Sequence, residues 1–198
     1  MADQKKTTST QPIVTPEFRL SFPNLVTPQS FEGGRPTFSI TMLFPKDADI
    51  SALKDLAREA ATKRWGTDQD EWPKGMRLPF RDGDEKSYAG YEDCTYVRAS
   101  ANEDRKPGTV DAAGQPIINP GVDLYGGCYA RAYVNAFAYD KAGNRGVAFG
   151  LIHVQKLRDG DAFGASAAPA SEVFGTVPGA ESGEGVGNTA EPQNDIFG

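Results

Sequence analysis

The stretch Cys128–Tyr139, CYARAYVNAFAY, decides the fold. Its residues alternate: Tyr129, Arg131, Tyr133, Asn135, Phe137 and Tyr139 share one face of an extended strand, and Cys128, Ala130, Ala132, Val134, Ala136 and Ala138 share the other. The small-residue face suits the crowded inside of a narrow barrel. Periodicity alone also allows the reverse, with the large aromatics inward and the alanines beneath a helix.

Working outward, the turn DKAGN leads into RGVAFGLIHVQKL, a second strand pattern. Upstream, EFRLSFPNLV sets Phe18, Leu20 and Phe22 against Arg19 and Ser21, and PTFSITMLF sets Phe38, Ile40, Met42 and Phe44 against Ser39 and Thr41. The two are joined through EGGRP, whose glycines supply positive φ in a turn. CTYVRAS reads as a further strand and TVDAAGQPII as a hairpin across Ala112-Ala113-Gly114.

One segment has the other period. In DADISALKDLAREAATKRW, Ile50, Leu53, Leu56, Ala57, Ala60 and Ala61 form a helical stripe, with Asp49 as N-cap and Lys63 and Arg64 in the last turn before Trp65-Gly66. Residues 66–92 mix Gly, Pro, charge and aromatics and read as one long excursion; loops of this length inside a domain are usually functional or disordered. Strands, one helix and more strands predict a mainly β fold: an OB-like five-stranded barrel with one helix and a long loop insertion.

Charge divides the chain. Of 27 acids, seven lie in residues 159–198, which contain no Lys or Arg, so residues 1–158 hold 21 basic against 20 acidic side chains. The net charge of -6 is therefore a property of the tail. Its Gly, Ala, Pro and Ser content is too polar to offset the entropy of ordering, so 159–198 is expected to be a disordered acidic tail. Residues 1–15 are expected to be a flexible arm, leaving 16–158 as the folded domain. There is no apolar run of signal or membrane-span length, which predicts a soluble intracellular protein. Cys94 and Cys128 lack partners at zinc-site or redox spacing and are expected to be reduced and buried.

The chemistry of catalysis is sparse. His153 is the one histidine, in a strand pattern where a core or sheet-surface role is the ordinary one, and no phosphate loop or dinucleotide fingerprint occurs. Asp68, Asp70 and Glu71, and Asp82, Asp84 and Glu85, lack the spacing of a calcium loop and read as solvated loop acids rather than a hydrolase metal site. The expectation is a protein without catalytic activity, cofactor or metal.

The positive signal is aromatic residues interleaved with bases on strand faces, the composition of a platform on which unpaired bases stack. Candidate single-stranded-DNA contacts are Tyr129, Arg131, Tyr133 and Phe137 on the deciding strand, and Tyr96 and Arg98 at a two-residue step in TYVRA. The excursion contributes Trp72, Arg77, Phe80, Tyr88 and Tyr91, beside Arg81, and the helix end contributes Lys63 and Arg64. Stacking serves single-stranded DNA and RNA alike.

The string YDKAGNRGVAFGLIHVQKLRDGDAFG, preceded by LYGGCYARAYVNAFA, resembles the C-terminal half of a family of tailed-bacteriophage single-stranded-DNA-binding proteins. FRLSFPNLVTP and RPTFSITMLFPK resemble its N-terminal part, so the similarity covers most of 17–163. The resemblance implies an OB barrel that protects phage single-stranded DNA during replication and recombination in the cytoplasm of the infected bacterial host. The alternative is a phage structural or partner-binding protein whose barrel is a scaffold.

Single-stranded-DNA-binding proteins often end in an acidic tail with a terminal aromatic. Bacterial tails more usually close on Pro-Phe, whereas this chain closes NDIFG. The tail is expected to compete with DNA for the basic surface, and Asp195, Ile196 and Phe197 to dock a replication or recombination protein.

Overall fold

The computed structural model describes residues 9–30, 33–141 and 143–164; most of the acidic tail, including Asp195, Ile196 and Phe197, lies outside the described residues. In chain order the strands are β1 (Ile13–Val14), β2 (Phe18–Gln29), β3 (Thr37–Pro45), β4 (Phe80–Asp82), β5 (Cys94–Asn102), β6 (Gly108–Val110), β7 (Tyr129–Lys141) and β8 (Asn144–Arg158). The helices are α1 (Ser51–Trp65) and the single turn α2 (Pro120–Asp123).

Five strands close a ring in the order β2-β3-β5-β8-β7-β2, antiparallel at every step except β5–β8. This is the expected OB-like arrangement. The face of β7 left open by periodicity is settled: Ala130, Ala132, Val134, Ala136 and Ala138 are all buried, in one core with Ile40, Met42, Phe44, Val97 and Phe149. Helix α1 adds Leu53, Leu56, Ala57, Ala60 and Ala61 to that core, and its long-range packing is against β7 and β8. Small side chains on both partners let helix and strand approach closely. Asp49 is not the N-cap; Ile50 holds that position without a side-chain bond. Asp49 Oδ1 instead accepts from the Ser51 N–H at 3.0 Å, which holds its carboxyl below the usual carboxylate range.

β8 carries one extra residue opposite Tyr129–Ala130 and another opposite Tyr133–Val134. Such bulges bend a long strand around a barrel. A bulge in β2 has a different result. Between Ser21 and Asn24 the strand advances three residues while β3 advances two, from Thr41 to Ser39. Phe22 sits in this bulge at φ 44°, and the residue is 53% exposed. Strict alternation places Phe22 inside with Phe18 and Leu20; the bulge turns it out, at a backbone cost of about 1–3 kcal/mol.

The ring has two thin seams, and segments expected to be loose fill both. β5 and β8 pair only at Ala99–Phe149 and Ser100–Gly150. Below that point the excursion crosses the gap: the Arg77 N–H donates to Arg145 O (2.8 Å), the Val147 N–H donates to Arg77 O (3.0 Å), and β4 pairs with β5. β2 and β7 pair only at Phe18–Ala130 and Arg19–Tyr129. Residues 10–15 take up the rest of that edge, so the expected flexible arm over 1–15 is corrected for this part. Thr10 and Thr15 each imitate a strand pair. The Thr10 N–H donates to Ala136 O while Thr10 Oγ1 accepts from the Ala136 N–H, both at 2.9 Å. Thr15 does the same with Ala132, at 2.9 and 3.0 Å.

The expected tail boundary at 159 also moves. Arg19 Nη2 donates to Asp161 O (2.7 Å), the Phe163 N–H donates to Gly126 O (2.8 Å), and the Tyr125 hydroxyl donates to Asp159 Oδ1 (3.0 Å). Gly127, at φ 113°, admits this return: any Cβ there would collide with Asp161 O. Residues 159–164 therefore form a clasp on the barrel.

Replacing Thr10 or Thr15 by the isosteric Val leaves one buried strand N–H without an acceptor. Each variant is expected to lose about 1–3 kcal/mol in denaturant unfolding, with Ser retaining most of it. Val variants as stable as the parent would contradict the Thr-mediated ladder.

Candidate nucleic-acid interface

The candidate interface is built on the outer face of β5, with the buried outward residues of β3 supporting it from beside. Strand register lays down three rows across β2, β3 and β5: Arg19–Leu43–Tyr96, Ser21–Thr41–Arg98 and Asn24–Ser39–Ser100. Arg98 Nη2 and Asn24 Nδ2 both donate to Ser39 Oγ, each at 3.3 Å, so the polar row is tied together. Segment 77–82 forms the opposite lip, with Arg81 paired in register against Tyr96.

Between the lips lies a groove of about 360 Å³, lined among others by Arg77, Arg81, Tyr96, Arg98 and Tyr139, with Ala148 and Phe149 on its floor. Arg77 also borders a neighbouring hollow of about 490 Å³ with Lys74, Asn144 and Arg145, at the β7–β8 turn. Among the described residues no Asp or Glu lines either space. Three arginines and two tyrosines thus converge on one concave surface, with cation density for a phosphate backbone and rings for bases.

The remaining candidates separate into distinct environments. Tyr88 is 52% exposed and touches Phe22 edge-on, ring centroids 5.3 Å apart. Tyr91 is only 3% exposed, so it is corrected from contact residue to support: it packs with Leu43 and Cys94, and its hydroxyl donates to Ser21 Oγ at 3.2 Å. Phe80 turns inward, edge-on to Phe149 at 5.9 Å. Trp72 packs against the core and its Nε1–H donates to Gly66 O at 2.9 Å. Both rings serve the fold, because the excursion closes a seam. Lys63 pairs with Glu59 on α1 (2.6 Å), and neither it nor Arg64 lines the groove.

The outward stripe of β7 runs away from the groove. Tyr129 lies beneath the Arg158 guanidinium, 3.3 Å from its ring centroid, with Arg19 at 5.6 Å. Arg131 Nε donates to Gln155 Oε1 at 2.7 Å, and Tyr133 stacks on His153 with an interplanar angle of 5°. His153 is thus a sheet-surface residue. Phe137 pairs in register with Ala148 and is half-buried. From Tyr139 back to Arg131 is eight residues, roughly 26 Å at about 3.3 Å per residue. The sequence pattern named all of these together because it reports faces of single strands, not distances across the barrel.

The acid clusters have structural duties. Asp68 and Asp82 accept from the Asp70 and Asp84 N–H groups in two short 3₁₀ turns, and Asp84 pairs with Lys46. Among the described residues no group of three or more His, Cys, Asp or Glu is placed to hold a metal ion, and no helix is long and apolar enough to cross a membrane.

Fold and groove define the class: an OB-like ring with a basic, tyrosine-bearing outer face. The family model of the Enterobacter phage Enc34 ssDNA-binding protein matches residues 11–184, and the chain belongs to that family. A protein of Acyrthosiphon pisum secondary endosymbiont phage 1 is 32% identical over 175 residues, covering 84% of this chain and 94% of its own. The fold is similar to that of the single-stranded DNA-binding protein from bacteriophage Enc34, solved in complex with ssDNA: TM-score 0.64 and 22% identity over 81% of this chain and 99% of that one. It is also similar to gp2.5, a single-stranded DNA-binding protein encoded by bacteriophage T7: TM-score 0.57 and 11% identity over 89% of this chain and 100% of that one.

Cys94 and Cys128 are both free and buried, as expected. Burial in the cluster with Leu43 and Tyr91 pushes the Cys94 thiol up from 9.0 to about 11, with the nearby Asp84 and Asp82 charges adding to the shift. At pH 8 its thiolate fraction is therefore about a hundredfold below that of a free thiol. Alkylation of Cys94, mapped by mass spectrometry, should keep accelerating up to about pH 11. A rate that levels off near pH 9 would contradict its burial under Tyr91.

Proposed function

We propose that this protein binds single-stranded DNA without reading its sequence, in the groove between segment 77–82 and β5. The observation that carries this is the acid-free convergence of Arg77, Arg81 and Arg98 with Tyr96 and Tyr139. Guanidinium groups meet phosphates through charge-assisted, often bidentate hydrogen bonds, and the tyrosine rings meet any base through its π-face. Membership of a family named for ssDNA binding supports the same reading. The role that follows is protection of phage single-stranded DNA during replication and recombination in the infected bacterium.

The acidic tail is the second part of the proposal. The clasp fixes its point of departure at Gly164, beside Phe163, which packs with Tyr91 and Tyr96 at the edge of the interface. A chain of 34 residues has a root-mean-square reach of about 30 Å, enough for its acids to compete for the groove. Asp195, Ile196 and Phe197 would then serve a replication or recombination partner, since competition for arginines needs only the acids.

Two measurements test this. In titrations of fluorescent oligo(dT) at several salt concentrations, Arg77→Ala and Arg98→Ala should each reduce the slope of log K against log salt by about 1, and Tyr96→Ala should cost about 1–3 kcal/mol. Arg131→Ala and Tyr133→Ala should leave short oligonucleotides bound as before; the opposite pattern would move the site to the β7–β8 stripe. Ending the chain after Gly164 should raise affinity at low salt while keeping the clasp, and unchanged affinity would remove the tail from the competition.

A further inference from the structure

The groove accounts for Tyr96 but leaves an exposed aromatic pair beside it. Phe22 and Tyr88 are 53% and 52% exposed, although Phe22 belongs by alternation to the buried face of β2. Only the bulge and a φ of 44° bring it out. A backbone conformation that L-residues avoid, adopted so that an apolar ring faces water, is the kind of local strain that collects at binding sites.

The surroundings say what the ring is held for. Phe22, Tyr88 and the buried Tyr91 contact one another pairwise, with centroids 5.3, 5.4 and 6.4 Å apart and all three pairs edge-on or tilted. Neither exposed ring is stacked face to face within this trio, so a flat ligand can take a ring face. Tyr91 is the buttress, anchored to Ser21, and it continues to Tyr96 in the groove at 5.5 Å. Across the strands the row Ser21–Thr41–Arg98 spans two strand spacings, about 10 Å, or on the order of three base rises of 3.4 Å. Between the two sites Ser39 and Thr41 are themselves buried, and the side chains of Arg98 and Asn24, which both donate to Ser39 Oγ, form the surface above them, a polar lining suited to a nucleotide rather than to an apolar protein segment.

We propose that Phe22 and Tyr88 form a second base-stacking site, which takes an unpaired nucleobase of the same strand that occupies the groove and carries its path across β3 onto β2. This rests on the single-stranded-DNA reading of the groove. It makes the β2 bulge part of the binding surface and assigns Phe22 a role that no strand pattern reveals.

The test uses Phe22→Gly and Tyr88→Ala in the full chain, with the oligo(dT) assay run at about 6 and about 20 nucleotides, within and beyond the usual span of one OB site. Phe22→Gly relieves the positive φ, so thermal stability should hold or rise while binding falls. Both variants are expected to bind the longer oligonucleotide about tenfold more weakly, with Phe22→Trp and Tyr88→Phe retaining affinity. If both bind every length like the parent while Arg98→Ala is impaired, the second site is overturned and the groove stands. If the parent itself does not bind single-stranded DNA at low salt, the groove reading fails and the second site falls with it.

Discussion

The packing of α1 against β7, two elements that each present alanines to one core, is the contact on which the rest of the molecule depends. Five strands enclose little space, and Ala130, Ala132, Ala136 and Ala138 keep the inner face of β7 low enough for Ala57, Ala60 and Ala61 of the helix to seat within the same core. Larger side chains at these positions would overfill a core already closed by Phe18, Phe44 and Phe149. A core this narrow has no room for a ligand, so recognition is forced onto the outer surface of the ring. The aromatic and basic residues that alternate with the alanines are placed there by the same two-residue period.

Closure is incomplete where strands diverge, and the repair of each seam also positions candidate contact groups. Residues 77–82 bridge β8 to β5 and, in doing so, present Arg77 and Arg81 opposite Arg98. The clasp of residues 159–164 covers Tyr129 and Gly127 and fixes where the acidic segment begins. Thr10 and Thr15 supply hydroxyl acceptors where a regular strand would supply carbonyls, which lets a five-residue step match a four-residue step on β7.

The architecture was legible in the sequence because its strongest signals are local. Uninterrupted alternation marked β7, a 3.6-residue stripe marked α1, and the quoted motifs around Gly146–Phe163 resemble the phage family. Apart from the N-cap of α1 and the bulge at Phe22, which are local, the errors are long-range. Thr10 and Thr15 look like a polar arm because their partners are more than 110 residues away. The excursion looks irregular because its order comes from pairing with β5 and β8 rather than from any period of its own. Tyr91 and Tyr88 are three residues apart in one aromatic-rich loop, yet one is buried against Leu43 and Cys94 with its hydroxyl bonded to Ser21, and the other is exposed. Phe22 misled for a subtler reason: one inserted residue reverses the face of everything at the bulge, and alternation cannot register an insertion that begins at its own last term.

The seam under the groove gives the molecule a built-in compliance. One lip rides on a continuous strand of the ring; the other is held by three residue pairs with β5 and two backbone bonds to β8, the kind of small cooperative unit that opens by local unfolding long before the whole domain does. A polyanion lying between Arg81 and Arg98 would tie the lips together and close that fluctuation. Occupancy would then be written into backbone amide exchange along 77–82, and a site that straddles a seam in this way can adjust its width to different bases without any rearrangement of the core.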